Sequence, residues 1–113
     1  MPAARPLDHT LTALADPTRR AILKRLAAGE ARVTEIAEPF AMSLNSVSKH
    51  IRVLERARLV KRRRAGREHF LSFNPKPLDE AAHWIERQRN LWNARLDLLE
   101  RALREDAEKS GGG

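Results

Sequence analysis

The sequence contains no cysteine and no tyrosine, and aromatic residues make up only 4% of its 113 residues. Without cysteine the chain cannot form disulfides, thiolate metal sites or a nucleophilic thiol, and a reducing cytoplasm is the compartment we expect. No apolar run reaches the roughly 20 residues that a membrane span requires. Residues 1–9 also lack the apolar core of a signal peptide, so we expect a cytoplasmic protein.

The sequence motifs of common catalytic sites are absent as well. The chain has no Gly-rich phosphate loop, no HExxH or GxSxG motif and no paired-carboxylate active-site pattern. We therefore predict neither catalysis nor a cofactor. Hydrophobic residues make up 42% of the chain, which is enough for one folded domain of ordinary size.

Positive charge is concentrated in one short segment of the chain. The net charge is +7, from 22 basic and 15 acidic residues, and residues 49–68 hold nine of the basic and two of the acidic ones. The remainder, with 13 basic and 13 acidic residues, is neutral. Such concentration is typical of a surface that binds a polyanion, although a solvated charged face is the alternative. The basic residues are Lys49, Arg52, Arg56, Arg58, Lys61, Arg62, Arg63, Arg64 and Arg67.

Apolar spacing and capping residues predict three helices in the first 40 residues. A first short helix is indicated by leucines that include Leu7 and Leu11. Asp16 and Pro17 are expected to begin a second helix that runs to about residue 28. Thr34 is expected to cap a brief third helix, which ends near residues 39–40.

A fourth helix and a hairpin are predicted next. Ser43 is expected to cap the helix, whose apolar residues recur at i, i+3, i+7 and i+10 and are predicted to face the core. These residues are Leu44, Val47, Ile51 and Leu54. Two short strands on either side of Ala65 and Gly66 are typical of a hairpin with a Gly turn.

A long helix is predicted from Leu78 to about Arg104, with apolar residues on two stripes. Together the stripes are wider than one small domain can cover, so part of this apolar surface is not accounted for within one chain. We expect residues 1–104 to form one domain and residues 105–113 to be a flexible tail.

A brief helix, a tight turn and a capped helix with small polar residues facing outward form a helix-turn-helix, and the basic hairpin after it forms a wing. The helix fits the major groove, and the wing is expected to lie on phosphates or in the minor groove. Because side chains alternate along a strand, Arg62 and Arg64 cannot share a face with Lys61 and Arg63. The predicted DNA-binding residues are Ser43, Asn45, Ser46, Ser48, Lys49, His50, Arg52, Arg62, Arg64 and Arg67. The alternatives are that Ser43 only caps the helix and that His50 is an ordinary packed histidine.

Three stretches of this sequence resemble the ArsR family of bacterial winged helix-turn-helix repressors. They are LADPTRRAIL (14–23), VTEIAEPFAMSLNSVSKHIRVLERARLV (33–60) and RRRAGREHFLSFNP (62–75). The resemblance implies a mainly α fold of five helices with a two-stranded wing, and a homodimer formed through the first and last helices. It also implies that Ser46, Ser48, Lys49 and His50 belong to the DNA-facing element and Arg64, Gly66 and Arg67 to the wing. The predicted dimer interface comprises Leu7, Leu11, Trp84, Leu91, Trp92, Leu98 and Leu99.

Two positions depart from the family pattern. Arg58 stands where the family usually has glycine at the end of the recognition helix, and Asn45 stands where proline is common. The local turn and the base contacts are therefore expected to differ from those of relatives.

Many family members are metal sensors, but the required ligands are scarce in this chain. The segment 35–38 has no cysteine, which excludes a soft-metal site there. Asp79 and His83 lie at i and i+4 on one helix and could provide two ligands of an intersubunit zinc site, or could be an ordinary exposed pair. We expect a metal-independent repressor, autoregulatory or controlled by a small-molecule or protein effector, with a zinc-responsive repressor as the alternative.

Three further binding functions compete with this interpretation. An RNA-binding module is disfavoured because no aromatic residue lies among the basic residues of the reading face. A dimerisation module would leave the basic cluster unexplained. An architectural protein that binds any duplex stays an alternative. We predict a sequence-specific repressor of duplex DNA that acts as a homodimer, with residues 1–104 as its DNA-binding and dimerisation domain.

Overall fold

Five helices and a three-stranded antiparallel sheet make up the computed structural model, which describes residues 5–111. Residues 5–81 form one compact unit and residues 82–111 a second. The elements, in chain order, are α1 (Pro6–Leu14), α2 (Pro17–Ala27), β1 (Ala31–Arg32), α3 (Val33–Ala37), α4 (Leu44–Arg56), β2 (Val60–Ala65), β3 (Glu68–Phe73) and α5 (Lys76–Gly111).

The junction between α1 and α2 forms as the sequence predicts. The side chain of Asp16 accepts a hydrogen bond from the backbone N–H of Arg19 at 3.0 Å, and Pro17 occupies the first helical position. The guanidinium of Arg19 donates to the carbonyl oxygens of Thr12 and Ala13 at 2.8 and 2.9 Å. One arginine therefore donates to two carbonyls in the last turn of α1, where backbone donors run out.

The core of residues 5–81 lies between the helices and one face of the sheet. Seven large side chains are fully buried there, and burial of this apolar area is the main stabilising contribution. They are Ile22, Ile36, Val47, Ile51, Leu54, Leu59 and Leu71. The prediction that Leu44 joins them is wrong: it is 52% exposed, because it is the first residue of α4 and lies one turn before Val47, where burial of the helix begins.

Helix α4 ends in a left-handed turn at Arg58, whose φ is 61°. The N–H of Leu59 donates to the carbonyl of Leu54 at 3.0 Å, and the N–H of Arg58 donates to that of Glu55 at 2.9 Å. This pair of bonds is the Schellman motif, in which glycine is the usual residue at the left-handed position. The sequence departure at Arg58 is therefore a non-glycine residue in a conformation that disfavours a side chain.

The sheet has a third strand that the sequence analysis did not predict. Strands β2 and β3 form the predicted hairpin, and β1 pairs with the other edge of β3, aligning Ala31 with Leu71. Because residues 31–32 form this strand, α3 begins at Val33 with Arg32 as its N-cap. The prediction that Thr34 caps α3 is therefore wrong, since it lies within the helix.

Helix α5 is longer than the predicted helix, which was expected to end near Arg104. It contains 36 residues and continues to Gly111, a length of about 54 Å at a rise of about 1.5 Å per residue. In the first unit it contributes buried Ala81 and half-buried Leu78. That residues 105–113 form a flexible tail stays a prediction, of which residues 112–113 lie outside the described range. None of the helices in residues 5–111 is both long and apolar enough to cross a bilayer.

Candidate DNA-binding surface

The outward face of α4, which we call the recognition helix, presents one polar and basic stripe. Asn45, Lys49, Arg52 and Arg56 lie at i, i+4, i+7 and i+11, which places them on a single helical face, and all four are exposed. We call these four residues the reading stripe. The opposite face carries the buried Val47, Ile51 and Leu54, so packing fixes the direction in which the stripe points.

The predicted serines lie at the beginning of the recognition helix and at its side. The Oγ of Ser43 accepts a hydrogen bond from the backbone N–H of Ser46 at 3.1 Å, and the two hydroxyls are 3.0 Å apart. Ser43 is thus the N-cap, as predicted, and it is also exposed. Ser46 and Ser48 are half-buried on the flanks of the stripe.

His50 points toward the α1–α2 junction rather than along the reading stripe. Its Nδ1 lies 3.2 Å from a guanidinium nitrogen of Arg19 and 3.8 Å from a carboxylate oxygen of Asp16, and its side chain is 23% exposed. The backbone N–H of Arg19, with a further contribution from His50, lowers the pKa of Asp16 below its ordinary 3.8. His50 therefore connects the recognition helix to the preceding helices, and its contact with DNA stays a prediction.

The wing consists of β2, β3 and the turn at Gly66 and Arg67. Gly66 adopts a φ of 64°, which suits glycine because it has no Cβ. In the strand register Arg62 is opposite Leu71 and Arg63 is opposite Phe70. Arg62 and Arg64 thus share the face of buried Leu71, and Lys61 and Arg63 lie on the other face, as strand alternation predicts.

Two of the wing arginines are held by carboxylates. Arg62 donates to both carboxylate oxygens of Glu55 on the recognition helix, at 2.7 and 3.3 Å. Arg63 forms an ion pair with Glu30 at 2.7 Å and lies 4.6 Å from the ring centre of Phe70. The Arg63 hydrogen bond lowers the pKa of Glu30. These arginines therefore brace the wing.

The other cations of the basic segment are free to meet a polyanion. Within residues 5–111 none of them forms an ion pair, and all are exposed. Arg64 donates to the carbonyl of Gly66 at 3.1 Å, which keeps its guanidinium at the wing tip. The seven free cations are Lys49, Arg52, Arg56, Arg58, Lys61, Arg64 and Arg67.

The unpredicted strand β1 is connected to the wing by charged side chains. Arg32 contacts Glu35 at 2.6 Å and Glu68 at 3.0 Å. The Arg32 hydrogen bond lowers the pKa of Glu35. These pairs tie the beginning of α3 to β3, the strand of the wing that pairs with β1.

Several residues that shape this surface were not identified from sequence. Arg56 completes the reading stripe, and its spacing of four from Arg52 was a signal that could have included it. Glu55 contacts Arg62, which is 7 positions away in the sequence, and Arg19 contacts His50, which is 31 positions away. No local pattern reveals such pairs.

The residues predicted for the dimer interface are apolar and mostly exposed in the single chain. In residues 5–81, Leu7 is half-buried and Leu11 is 39% exposed. In residues 82–111 every predicted interface residue is exposed, from 39% at Trp84 to 64% at Trp92. The full set in that second unit is Trp84, Leu91, Trp92, Leu98 and Leu99.

The residues considered as zinc ligands, Asp79 and His83, are both exposed on α5. Among residues 5–111 no three histidine or carboxylate side chains come together as a metal site would require.

Comparison with known proteins finds a helix-turn-helix domain and relatives that are transcriptional regulators. The helix-turn-helix domain family matches residues 14–63. The transcriptional repressor SdpR of Bacillus subtilis is 33% identical over 79 residues, which are 70% of this chain and 88% of SdpR. The crystal structure of the ArsR family transcriptional regulator RHA00566 is 39% identical, with a TM-score of 0.75, and the match covers 79% of this chain and 98% of that one.

A third relative is described as a homodimer. It is the winged helix-turn-helix DNA-binding domain of Mb0332 from Mycobacterium bovis, a possible ArsR-family regulator studied as fragment 1–100. It is 26% identical, with a TM-score of 0.58, and the match covers 80% of this chain and 82% of the fragment.

Proposed function

The chain belongs to the ArsR family of winged helix-turn-helix transcriptional regulators, and from that premise we propose that it is a sequence-specific repressor that binds duplex DNA as a homodimer. The observation that carries this proposal is the reading stripe together with the unpaired cations of the wing. Both belong to elements whose orientation is fixed by buried side chains, and both lie within the basic segment, residues 45–68, that holds the whole positive excess of the chain.

The recognition helix would enter the major groove, which is about 12 Å wide, with the reading stripe toward the base edges. The Asn45 amide can donate to and accept from an adenine edge, and Lys49 and Arg52 can donate to guanine. Arg64 and Arg67 at the wing tip would contact phosphates or the minor groove. Base contacts supply specificity and the wing supplies affinity that depends on salt.

A homodimer would place two recognition helices in successive major grooves, about 34–36 Å apart. Its support is the apolar face of α5, where adjacent apolar pairs recur every seven residues. A strict seven-residue repeat favours pairing of helices in a left-handed supercoil. The pairs are Trp84 with Ile85, Leu91 with Trp92, and Leu98 with Leu99. The homodimeric state of the Mb0332 domain agrees with this.

Repression in this proposal does not depend on a metal ion. Soft-metal sensing requires thiolates, which the chain lacks. Within one chain, Asp79 and His83 are two of the four ligands of a structural zinc site, and among residues 5–111 no third histidine or carboxylate side chain comes together with them. The DNA target would include the chain's own upstream region if the repressor is autoregulatory.

The test is a gel shift over a salt series, with the upstream DNA of the gene compared with a scrambled duplex of equal length. Binding of a dimer that prefers the upstream DNA at every salt concentration is expected. Equal affinity for both duplexes would identify an architectural protein instead. Parallel lanes with zinc and with a chelator test the metal: release of DNA by zinc would make Asp79 and His83 ligands and reject metal independence.

A further inference from the structure

A cleft of about 760 Å³ lies where the recognition helix ends, the wing begins and helices α1 and α5 start. All of its lining residues belong to the compact unit of residues 5–81. Its volume is within the range of small-molecule sites, roughly 300–1,000 Å³. Of the residues of the reading stripe and the wing tip, Arg56 alone lines this cleft.

The charged residues of the cleft are mostly cationic. Four basic side chains line it, and within residues 5–111 none of them is in an ion pair. Of its two carboxylates, Glu55 is held by Arg62, which lies outside the lining, so only Glu80 offsets the positive charge. The basic residues are Arg56, Arg58, Lys61 and Lys76. A site with this balance favours a ligand of multiple negative charge.

Arg58 adds an independent reason to regard the cleft as a site. It adopts a φ of 61°, in which a side chain is disfavoured, at a position where glycine would relieve the strain. Strained non-glycine residues persist at functional sites more often than elsewhere. The guanidinium that this backbone carries lines the cleft. Anion binding would explain why arginine occupies the position.

We propose that this cleft binds a small multivalent anion that bears phosphate or carboxylate groups, and that its binding weakens the binding of DNA. The regulatory half rests on the proposed function, and the binding half does not. Arg56 belongs both to the cleft and to the reading stripe, so an anion in the cleft competes with DNA for it. The added negative charge also lies beside Lys61, where the wing begins, and repels the phosphate backbone.

The first experiment measures anion binding without DNA. Citrate and inorganic pyrophosphate are titrated into the full chain in chloride buffer, and binding is followed by calorimetry and by amide chemical shifts. The cleft variant Arg58→Gly with Lys61→Gln is compared with Lys24→Gln with Lys109→Gln, which removes equal charge from exposed positions elsewhere. We expect saturable binding to the wild type and the control, and at least about tenfold weaker binding to the cleft variant.

Two outcomes of this experiment would reject the site. One is that neither anion binds, and the other is that the two variants lose affinity equally, which would indicate a diffuse electrostatic effect. The cleft variant removes backbone strain at position 58, and its fold is checked by its thermal unfolding. Shifts confined to residues near 56–61 and 76 would place the anion in the cleft.

The second experiment measures DNA affinity with and without each anion at constant ionic strength. The anion should weaken DNA binding of the wild type at least about fivefold, the lower end of ordinary coupling between two ligands, and should leave the cleft variant nearly unaffected. Anion binding with unchanged DNA affinity would reject the regulatory half alone. A wild type that binds anion but no DNA would reject the proposed function and not the site. If the cleft variant loses DNA affinity but keeps its anion affinity, Arg58 and Lys61 contact the DNA backbone and the anion site is rejected.

Discussion

Arg62 of the wing donates to both carboxylate oxygens of Glu55 on the recognition helix, at 2.7 and 3.3 Å. A two-bond contact between a guanidinium and a carboxylate fixes orientation as well as distance. The wing is therefore held at a set angle to the helix that is proposed to read the major groove. Arg62 was predicted to bind DNA, but its guanidinium is committed to this contact in the free protein.

Removal of Arg62 and removal of Arg64 should affect DNA binding differently. Each phosphate contact that is lost reduces the slope of log affinity against log salt by about 0.9. Arg64→Gln should reduce the slope by about 1.8, because Arg64 is free at the wing tip and the homodimer carries it twice. Arg62→Gln should weaken binding with a nearly unchanged slope, since it loosens the wing and removes no phosphate contact. Fluorescence anisotropy on one duplex from 50 to about 300 mM salt measures both slopes.

Glu55→Gln is the matched control for this comparison. It weakens the same contact from the other side but keeps the Arg62 cation, so it should loosen the wing without reducing the salt slope. Equal reductions in slope for Arg62→Gln and Arg64→Gln would show instead that Arg62 leaves Glu55 to bind phosphate.

The larger elements could be predicted from sequence because their causes are local. Asp16 with Pro17 and Ser43 mark helix starts, and Gly66 marks the hairpin turn, within a few residues of where each acts. Strand β1 was missed because two residues carry no periodicity, and it forms only through pairing of Ala31 with Leu71.

The candidate site was predictable in outline for the same reason, and its details were not. Charge density locates the basic segment, but it cannot show that Glu30 and Glu55 hold two of the cations. His50 is equally ambiguous, because its neighbour Arg19 is 31 positions away. Leu44 has helical spacing with the core, but whether other elements reach it depends on tertiary packing.

Lys49 and Arg67 should act together in DNA binding, one from the reading stripe and one from the wing tip. Replacement of both by glutamine should weaken binding and reduce the salt slope by as much as about 3.6 if both contact phosphate in each of the two subunits. The same anisotropy titration measures this, with Lys24→Gln/Lys109→Gln as a variant of equal charge. An unchanged slope in the Lys49/Arg67 variant would contradict the proposed surface.

Arg58→Gly should stabilise the protein. The left-handed conformation costs a residue with a side chain about 1–2 kcal/mol, and glycine at position 58 relieves this cost. Part of the gain in stability is lost because glycine is more flexible in the unfolded chain. We expect the free energy of unfolding to rise by about 0.5–1 kcal/mol in a urea titration. Arg52→Gly, in the helix interior, should lower it by about 1 kcal/mol. A destabilised Arg58→Gly variant would show that the arginine side chain contributes more than its backbone strain costs.

Asp16 should make part of the protein's stability depend on acid pH. The backbone N–H of Arg19 lowers its pKa below 3.8 in the folded state, so the folded chain binds its proton less readily than the unfolded chain does. The stabilisation is complete above about pH 4 and is lost as pH falls through the lowered pKa.

Asp16→Asn tests this assignment. Asparagine caps helices nearly as well, so stability at pH 7 should change little, and the loss of stability below pH 4 should become shallower. Thermal unfolding from pH 7 to pH 2.5 measures both effects. Glu30 and Glu35, whose pKa values are also lowered, keep part of the acid dependence in the variant. An acid limb as steep as that of the wild type would reject the contribution of Asp16.

Trp92→Glu should convert the protein to a monomer. Trp92 is 64% exposed in the single chain, and it lies among apolar pairs that recur every seven residues along α5. Burial of such residues against a second copy would supply the association energy, and a glutamate there would be buried without a partner charge. Light scattering coupled to gel filtration should show the wild type at twice the chain mass and the variant at 12.9 kDa. Arg101→Glu, an exposed change of charge on the same helix, is expected to stay dimeric. If Trp92→Glu and Leu99→Glu both stay dimeric, the apolar face of α5 is not the dimer interface. If Trp92→Glu is a monomer that still occupies both half-sites with wild-type affinity, DNA binding does not require the dimer.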